Sequence, residues 1–306
     1  MMRAFFIWLS ENRHIRGFAE RSAAGQRMSS RFVAGTTIDD VMRATKAMND
    51  LGLSVSIDHL GENVTNAEEA RQSAASYREL LQEIATRGLN ANVSLKLTHM
   101  GLDVDEKLAH DNVFGLVALA ARQHNFVRVD MEGSTYTART LQFVHELHRV
   151  PGSEDAVGAV IQSYLFRSEK DVEGLLAERI RIRLCKGAYQ EPPEVAFQKK
   201  RDVDANYVKL MKMLLKSGVY HGIATHDPRM IQATKDFARA EKIPLESFEF
   251  QMLYGIRRDL QQQLVREGYR MRVYIPFGTE WYPYFMRRLA ERPANVFFIA
   301  KNMLRS

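Results

Sequence analysis

At 306 residues the chain is long enough for one barrel-sized domain of ~250 residues with an added arm, or for two smaller domains. A net charge of +6 and a pI near 9.3 suit an anionic ligand, an acidic membrane surface or nucleic acid. The lysines and arginines are spread along the chain with no arginine-rich tail and no nucleic-acid motif, so no nucleic-acid partner is expected; Cys185, the only cysteine, excludes a disulfide framework and a cysteine-built metal site and points to a reducing, cytoplasmic compartment.

The amino terminus, MMRAFFIWLS, places a short apolar run after one arginine, but Glu11, Arg13, His14 and Arg16 follow without a small-residue cleavage site. It reads as a helix rather than a signal peptide. Residues 1–52 form an expected helical arm, in which Thr37 and Asp40 make a capping-box start and Gly52 a stop. From Leu53 onward, strand-like runs alternate with amphipathic segments. The runs lie near 53–58, 92–97, 126–131, 157–162, 180–185, 220–225, 247–252 and 270–275, which predicts a (β/α)8 barrel over residues 53–306. The longest apolar stretch, Val113 to Ala121, falls short of the ~20 residues that span a bilayer.

The strands alternate apolar and polar residues. Ser54, Ser56 and Asp58 alternate with Val55 and Ile57; Asn92, Ser94, Lys96 and Thr98 with Val93, Leu95 and Leu97. Later strands contribute Arg128, Asp130 and Glu132, then Arg181 and Arg183, Glu249 and Gln251, and Arg272 and Tyr274. Helices around a barrel must meet the apolar face, so the polar set is predicted to line the interior. Arg128, Arg181, Arg272 and Glu249, low on their strands, are expected to form an internal ion-pair network. Asp58, Lys96, Asp130, Glu132, Gln162, Arg183, Lys186, His226, Gln251 and Tyr274 are placed at the carboxyl ends, where barrel active sites gather.

After the eighth strand, which Pro276 and Gly278 are expected to end, Thr279 suits an N-cap and a helix is predicted from near Glu280. Tyr284, Arg287, Arg288 and Glu291 would share one of its faces and grip a small carboxylate. Lys96 or Lys186 could serve as a Schiff-base lysine and Asp130 with Glu132 as a proton-transfer pair. His226 has only Asp227 beside it and no second histidine at ligand spacing, so no metal is expected. Neither a GxGxxG turn nor a P-loop is present, which removes the two commonest phosphate cradles, although Arg183, Lys186 and His226 could still hold a diphosphate by side chains.

The segments SLKLT (94–98), DME (130–132), IQSYL (161–165), RLCKGAY (183–189), ATHD (224–227), QMLYG (251–255) and YFMRRLAE (284–291) occur in order, one per strand or following helix. In these the chain resembles the proline dehydrogenase family, over about Leu53 to Phe298. The resemblance implies a distorted (β/α)8 barrel, noncovalent FAD over the strand ends, and oxidation of L-proline to Δ1-pyrroline-5-carboxylate. It further implies electron transfer to a ubiquinone- or menaquinone-type acceptor, residence at the inner-membrane surface, and a pyrroline-5-carboxylate dehydrogenase as a candidate partner. Carried over by residue, Lys96, Asp130, Ala188, Tyr189, Leu253, Tyr274, Tyr284, Arg287 and Arg288 line the substrate pocket. Gln162, Arg183, Lys186, Thr225, His226 and Glu291 fall on the flavin side, and Glu62 is the acidic partner expected to pair with Arg287 across the mouth. Phe277 and Gln190 depart from the tyrosine and tryptophan found in some members. The length matches the single-activity form, without an aldehyde dehydrogenase module.

The residues themselves agree with that implication. Two arginines and Lys96 offer a multidentate grip for a carboxylate, Leu253 and the tyrosines supply apolar walls, and Asp130 is a candidate base. Tyr274, placed at the end of its strand, is expected to project over the mouth and restrict the substrate ring. The alternatives from other classes are a flavin-dependent folate reductase, a Schiff-base aldolase using Lys186 or Lys96, and a non-enzymatic binding barrel. The AFFIWL segment and the basic balance are expected to favour a peripheral membrane contact.

Overall fold

In the computed structural model, which describes residues 30–61, 64–282 and 284, eight parallel strands close into a barrel in sequence order. They are β1 Ser54–His59, β2 Ala91–Leu95, β3 Val127–Val129, β4 Val157–Gln162, β5 Arg181–Cys185, β6 His221–Ala224, β7 Phe248–Leu253 and β8 Arg270–Phe277. The helix before the barrel is α1 (Ile38–Asp50). Between consecutive strands run α2 (Ala67–Thr86), α3 (Glu106–Arg122), α4 (Ser134–His148), α5 (Ser168–Ala177), α6 (Lys200–Lys216), α7 (Pro228–Ala240) and α8 (Arg258–Arg266). None is long and apolar enough to cross a membrane among the described residues.

Local chemistry sets the boundaries. Thr37 and Asp40 make the reciprocal capping box at the start of α1, and Gly52 follows its end at φ +77°. Asn66, Asp105 and Asp227 cap α2, α3 and α7 with their side chains, each accepting a backbone N–H of the first turn. Pro228 stands in the first turn of α7, where its missing N–H costs nothing.

Strand alternation sorts the two faces. Val55, Ile57, Val93, Leu95, Val127, Val129, Ile182, Leu184, Ile223, Phe250, Val273 and Ile275 belong to one core with the apolar stripes of the helices. α1 joins that core through Val41 and Met42, and its lead-in is tied to the end of β8 by Ala34 N–H donating to the Pro276 carbonyl (2.9 Å). β8 does not end at Pro276. It runs on to Phe277, with Asp58 opposite Pro276 and His59 opposite Phe277. The strand therefore carries three more residues beyond Tyr274, and the first helical residue after it is Trp281, next to the expected start near Glu280.

On the outer face, His221 replaces an aliphatic residue. Its Nδ1 accepts the Ile182 N–H (3.0 Å), so the proton sits on Nε2, which donates to Ser217 Oγ (2.9 Å); that hydroxyl donates to the Leu214 carbonyl (2.7 Å). Burial, with Arg128 and Arg181 nearby, pushes His221 down to about 3; burial, with His59 and Lys96, does the same to His99. Folded and unfolded states differ here in one direction. Between pH 6.5 and 3 the unfolded chain takes up protons that the folded chain refuses, so stability falls as pH drops through that window. At pH 5 the loss is on the order of 2 kcal/mol per histidine. The melting temperature should be level above pH 7 and fall towards pH 5, and His221→Asn, which keeps an acceptor for Ile182 N–H, should flatten that slope by about one proton's worth.

Candidate active site

The polar face of the strands forms a connected column inside the barrel. At its lower end Arg272 Nε donates to Glu249 Oε1 (2.6 Å) and Arg272 Nη1 to the Val55 carbonyl (2.6 Å). Gln251 joins the next level, donating to Glu249 Oε1 (2.6 Å) and accepting from Arg183 Nε (2.6 Å). Arg183 then reaches Ser94 Oγ (3.0 Å), Ser56 Oγ (3.1 Å) and Asp130 Oδ1 (2.7 Å). Asp130 also takes the Ser94 hydroxyl (2.7 Å) and, on Oδ2, the Tyr274 hydroxyl (2.8 Å). The Arg183 guanidinium lies 5.1 Å from the Tyr274 ring centroid.

This geometry corrects several expectations of position. Arg183 does not stand at a strand end; it sits in the middle of β5, 6% exposed, and touches residues of β1, β2, β7 and β8 and the residue following β3. Tyr274 lies level with Ser56 and beside Leu253 in the register, and its hydroxyl points into the column rather than out of the mouth. Burial and the Asp130 carboxylate raise that hydroxyl well above its ordinary range, so it serves as a donor. Asp130, expected as a base, accepts three hydrogen bonds from the protein, which suits it to hold its neighbours. Of the four low residues, only Arg272 and Glu249 pair. Arg128 donates instead to the Ala159 and Arg181 carbonyls (3.0 and 2.6 Å), and Arg128 and Arg181 lie over the Phe126 ring at 4.5 and 4.6 Å.

Above the column, loops after successive strands are laced together. Glu132 accepts from Thr98 N–H (3.2 Å) and Thr98 Oγ1 (2.7 Å), Gln162 donates to the Glu132 carbonyl (2.9 Å), and Ala188 N–H donates to Gln162 Oε1 (3.3 Å). On the other side Leu253 N–H donates to His226 Nε2 (2.9 Å), which places the imidazole proton on Nδ1, and Asp227 N–H donates to Thr225 Oγ1 (3.0 Å). Lys96 faces Asp58 Oδ2 at 3.4 Å. Lys186 binds Asp204 and, at 2.8 Å, Asp227, which Lys200 and Arg229 also contact. Neither lysine lies in the isolated apolar pocket that would activate it as a nucleophile.

The structure thus brings Lys96, Asp130, Gln162, Arg183, Lys186, Ala188, Thr225, His226, Leu253 and Tyr274 to the interior and carboxyl end of one barrel. Tyr189 stands on the same loop as Ala188, 39% exposed, and Tyr284 is buried beyond β8. Phe277 stacks on His59 with centroids 4.8 Å apart. Glu62, Arg287, Arg288, Glu291 and the AFFIWL segment lie outside the described residues. Among the described residues no three metal-ligating side chains converge. Sequence reasoning missed Tyr77, Asp204 and Glu191. Tyr77 sits on the apolar stripe of α2 with Leu80 and Leu81 and reads as core, yet its hydroxyl accepts the His59 N–H (3.1 Å) and meets the Ser94 carbonyl (2.9 Å).

Removing the Arg183 guanidinium leaves the Asp130 carboxylate without its cation inside the barrel. Arg183→Met should therefore lose ~3–5 kcal/mol of unfolding free energy in urea titrations at pH 7.5, whereas Arg201→Met, at an exposed ion pair, should lose about 1 kcal/mol or less.

Comparison with known proteins places this barrel. The family model described as proline dehydrogenase matches residues 41–301. Proline dehydrogenase 1 of Bacillus subtilis (strain 168) is 42% identical over 306 residues, 100% of both chains. Proline dehydrogenase of Deinococcus radiodurans is 42% identical over 281 residues, covering 91% of this chain and 90% of that one. Among solved structures, proline utilization A (PutA) from Bdellovibrio bacteriovorus, inactivated by N-propargylglycine, superimposes with a TM-score of 0.83 at 27% identity; the match covers 94% of this chain and 36% of the PutA chain. These matches leave the aldolase, folate-reductase and binding-barrel alternatives without support. The chain belongs to the proline dehydrogenase family.

Proposed function

We propose that the chain oxidises L-proline to Δ1-pyrroline-5-carboxylate with noncovalent FAD at the strand ends and passes the electrons to a membrane quinone. The observation that carries this reading is the Arg183–Asp130–Tyr274 cluster, which ends a buried polar column towards the carboxyl ends of the strands. The donor set at the β5 and β6 ends fits the cofactor. Lys186, Lys200 and Arg229 are three cations gathered on two carboxylates, Asp204 and Asp227, so that rim carries positive charge suited to a diphosphate. Lys186 would hold the diphosphate, with Thr225 and His226 lining the same side and Gln162 and Arg183 facing the ring system. When bound, the flavin supplies the two-electron acceptor.

The chain's own residues do the positioning. Lys96, together with Arg287 and Arg288, would hold the carboxylate, while Leu253 and the Tyr274 ring, neighbours across β7 and β8, wall the pyrrolidine carbons. The oxidation would take a hydride from the ring carbon that neighbours nitrogen and lacks the carboxylate, towards the bound acceptor, after the ammonium has given a proton to solvent with the mouth still open, so that the C–N bond becomes C=N. Asp130 orients Tyr274 and Arg183 through both of its oxygens. Glu62 and Arg287 would close the mouth and exclude water.

Purified protein should show flavin absorbance that bleaches anaerobically on addition of L-proline and not of NADH. Bleaching by NADH alone, or no flavin after reconstitution with FAD, would remove the proposal. Tyr274→Ser opens the wall and leaves a hydroxyl, so the ratio of kcat/KM for 4-hydroxyproline over that for proline should rise several-fold, within the ~1–3 kcal/mol that one pocket group contributes. An unchanged ratio would assign Tyr274 to support of the site rather than to reading of the ring.

A further inference from the structure

The segment from Lys186 to Phe197 leaves the end of β5 and returns beside Tyr164–Phe166, the stretch that follows β4. Its first part is held by Tyr164 N–H donating to the Lys186 carbonyl (3.0 Å). Its last part is held by Phe166 N–H donating to the Val195 carbonyl (3.0 Å), Phe197 N–H donating to the Tyr164 carbonyl (2.8 Å) and an antiparallel bridge between Leu165 and Ala196. Tyr164–Phe166 is therefore sandwiched between the two ends of one excursion. Residues 187–194, which carry Ala188 and Tyr189, have no ladder of their own.

Besides Gln162, which accepts the Ala188 N–H (3.3 Å), one carboxylate anchors that excursion to another part of the barrel. Glu191 crosses over β4 to the first residue of α4, where Oε1 accepts Ser134 N–H (2.8 Å) and Oε2 takes the Ser134 hydroxyl. The Tyr164 hydroxyl reaches Oε1 as well (3.3 Å). α4 starts after Gly133, which offers no side-chain cap, so a carboxylate 57 residues away fills the place that Ser, Thr, Asp or Asn would take locally. The Tyr164 ring in turn packs against Gly187, whose φ is +118° and where a Cβ would fall 2.2 Å from the ring. Glu191 thereby connects the loop after β5 to the loop after β3, which bears Asp130 and Glu132.

We propose that Glu191 is a positioning residue that fixes the 187–194 excursion over the barrel mouth and so sets the place of Ala188 and Tyr189 at the substrate; this rests on the reading of the site given above. The clamp uses charge at a helix N-terminus, whereas a purely local loop would use its own turn hydrogen bonds. Losing it frees the excursion while both of its ends stay paired.

The test compares wild type with Glu191→Ala and Ser134→Ala by amide hydrogen exchange and by steady-state kinetics with proline. In Glu191→Ala, exchange of residues 187–195 should speed up at least about tenfold with the barrel strands unchanged, as local opening without global unfolding requires. KM for proline should rise roughly tenfold while kcat stays within about threefold, because binding geometry is lost and the reacting groups are not. Glu191→Gln, which keeps an oxygen for Ser134 N–H, should fall in between. Ser134→Ala should shift KM in the same direction by less, and the double variant should match Glu191→Ala alone. Unchanged exchange at 187–195 would overturn the clamp, and faster exchange with an unchanged KM would reduce it to a helix cap with no role at the site. If wild type fails to oxidise proline, the functional reading falls, and the exchange comparison alone decides whether Glu191 holds the excursion.

Discussion

A guanidinium cannot shed its proton inside a protein, and Arg183 stands on the axis of this barrel. Its charge must be met by acceptors, and these come from across the barrel: Gln251 from β7, Ser56 from β1, Ser94 from β2 and Asp130 after β3. Every one depends on the closed register, in which Gly222 sits opposite Arg183 and leaves the space that Gln251 fills; a Cβ there would fall 2.3 Å from the Gln251 amide nitrogen. A slip of one residue in any of these strands would turn its acceptor towards the helices. The buried charge thus makes closure specific.

The cost of that arrangement is shared. A barrel packed with branched aliphatics gains from apolar burial on both faces of its strands, while this one gains it mainly on the outer face, against the helices. The interior is instead held by a sequence of paired groups, from Arg272 and Glu249 at one end to Asp130 and Tyr274 at the other. The upper groups of the column form the floor of the candidate site, so side chains that stabilise the barrel also present its chemistry. Rigid placement follows from this. A polar group held by several partners has little freedom to move, and the loops above are fastened to one another and to the end of β7 by Glu132, Gln162 and His226 through backbone hydrogen bonds.

The rim has a different electrostatic character. Lys186, Lys200 and Arg229 converge on Asp204 and Asp227, and the two aspartates hold the cations in one place at the mouth. Burial would raise a carboxylate, but hydrogen bonds from these cations hold both Asp204 and Asp227 below their ordinary range, so they stay charged. A rim of fixed, mutually compensated charges with net positive sign is an arrangement that attracts an anionic group without collapsing in its absence.

Much of this was legible before any coordinates. The period-two alternation of apolar and polar residues gave eight strands within a few positions of where they lie and marked which side chains face inward, because a strand can bury only one face against helices. The ordered motifs gave the family, and the capping box at Thr37 and Asp40 gave the start of α1. What alternation cannot give is height along the barrel axis. Arg183 and Tyr274 read as rim residues, yet strand stagger sets them below the rim, in the buried upper end of the column, and β8 extends through Pro276 because its partner β1 continues alongside. Nor does local pattern show contacts between residues far apart in the chain. Tyr77 reads as core, and Glu191 and Asp204 as solvated charges, until closure brings them to Ser94, Ser134 and Lys186. Sequence determined which groups are available and which face they share; tertiary structure alone decided their partners, because pairing across a barrel depends on register and stagger, which no single strand encodes.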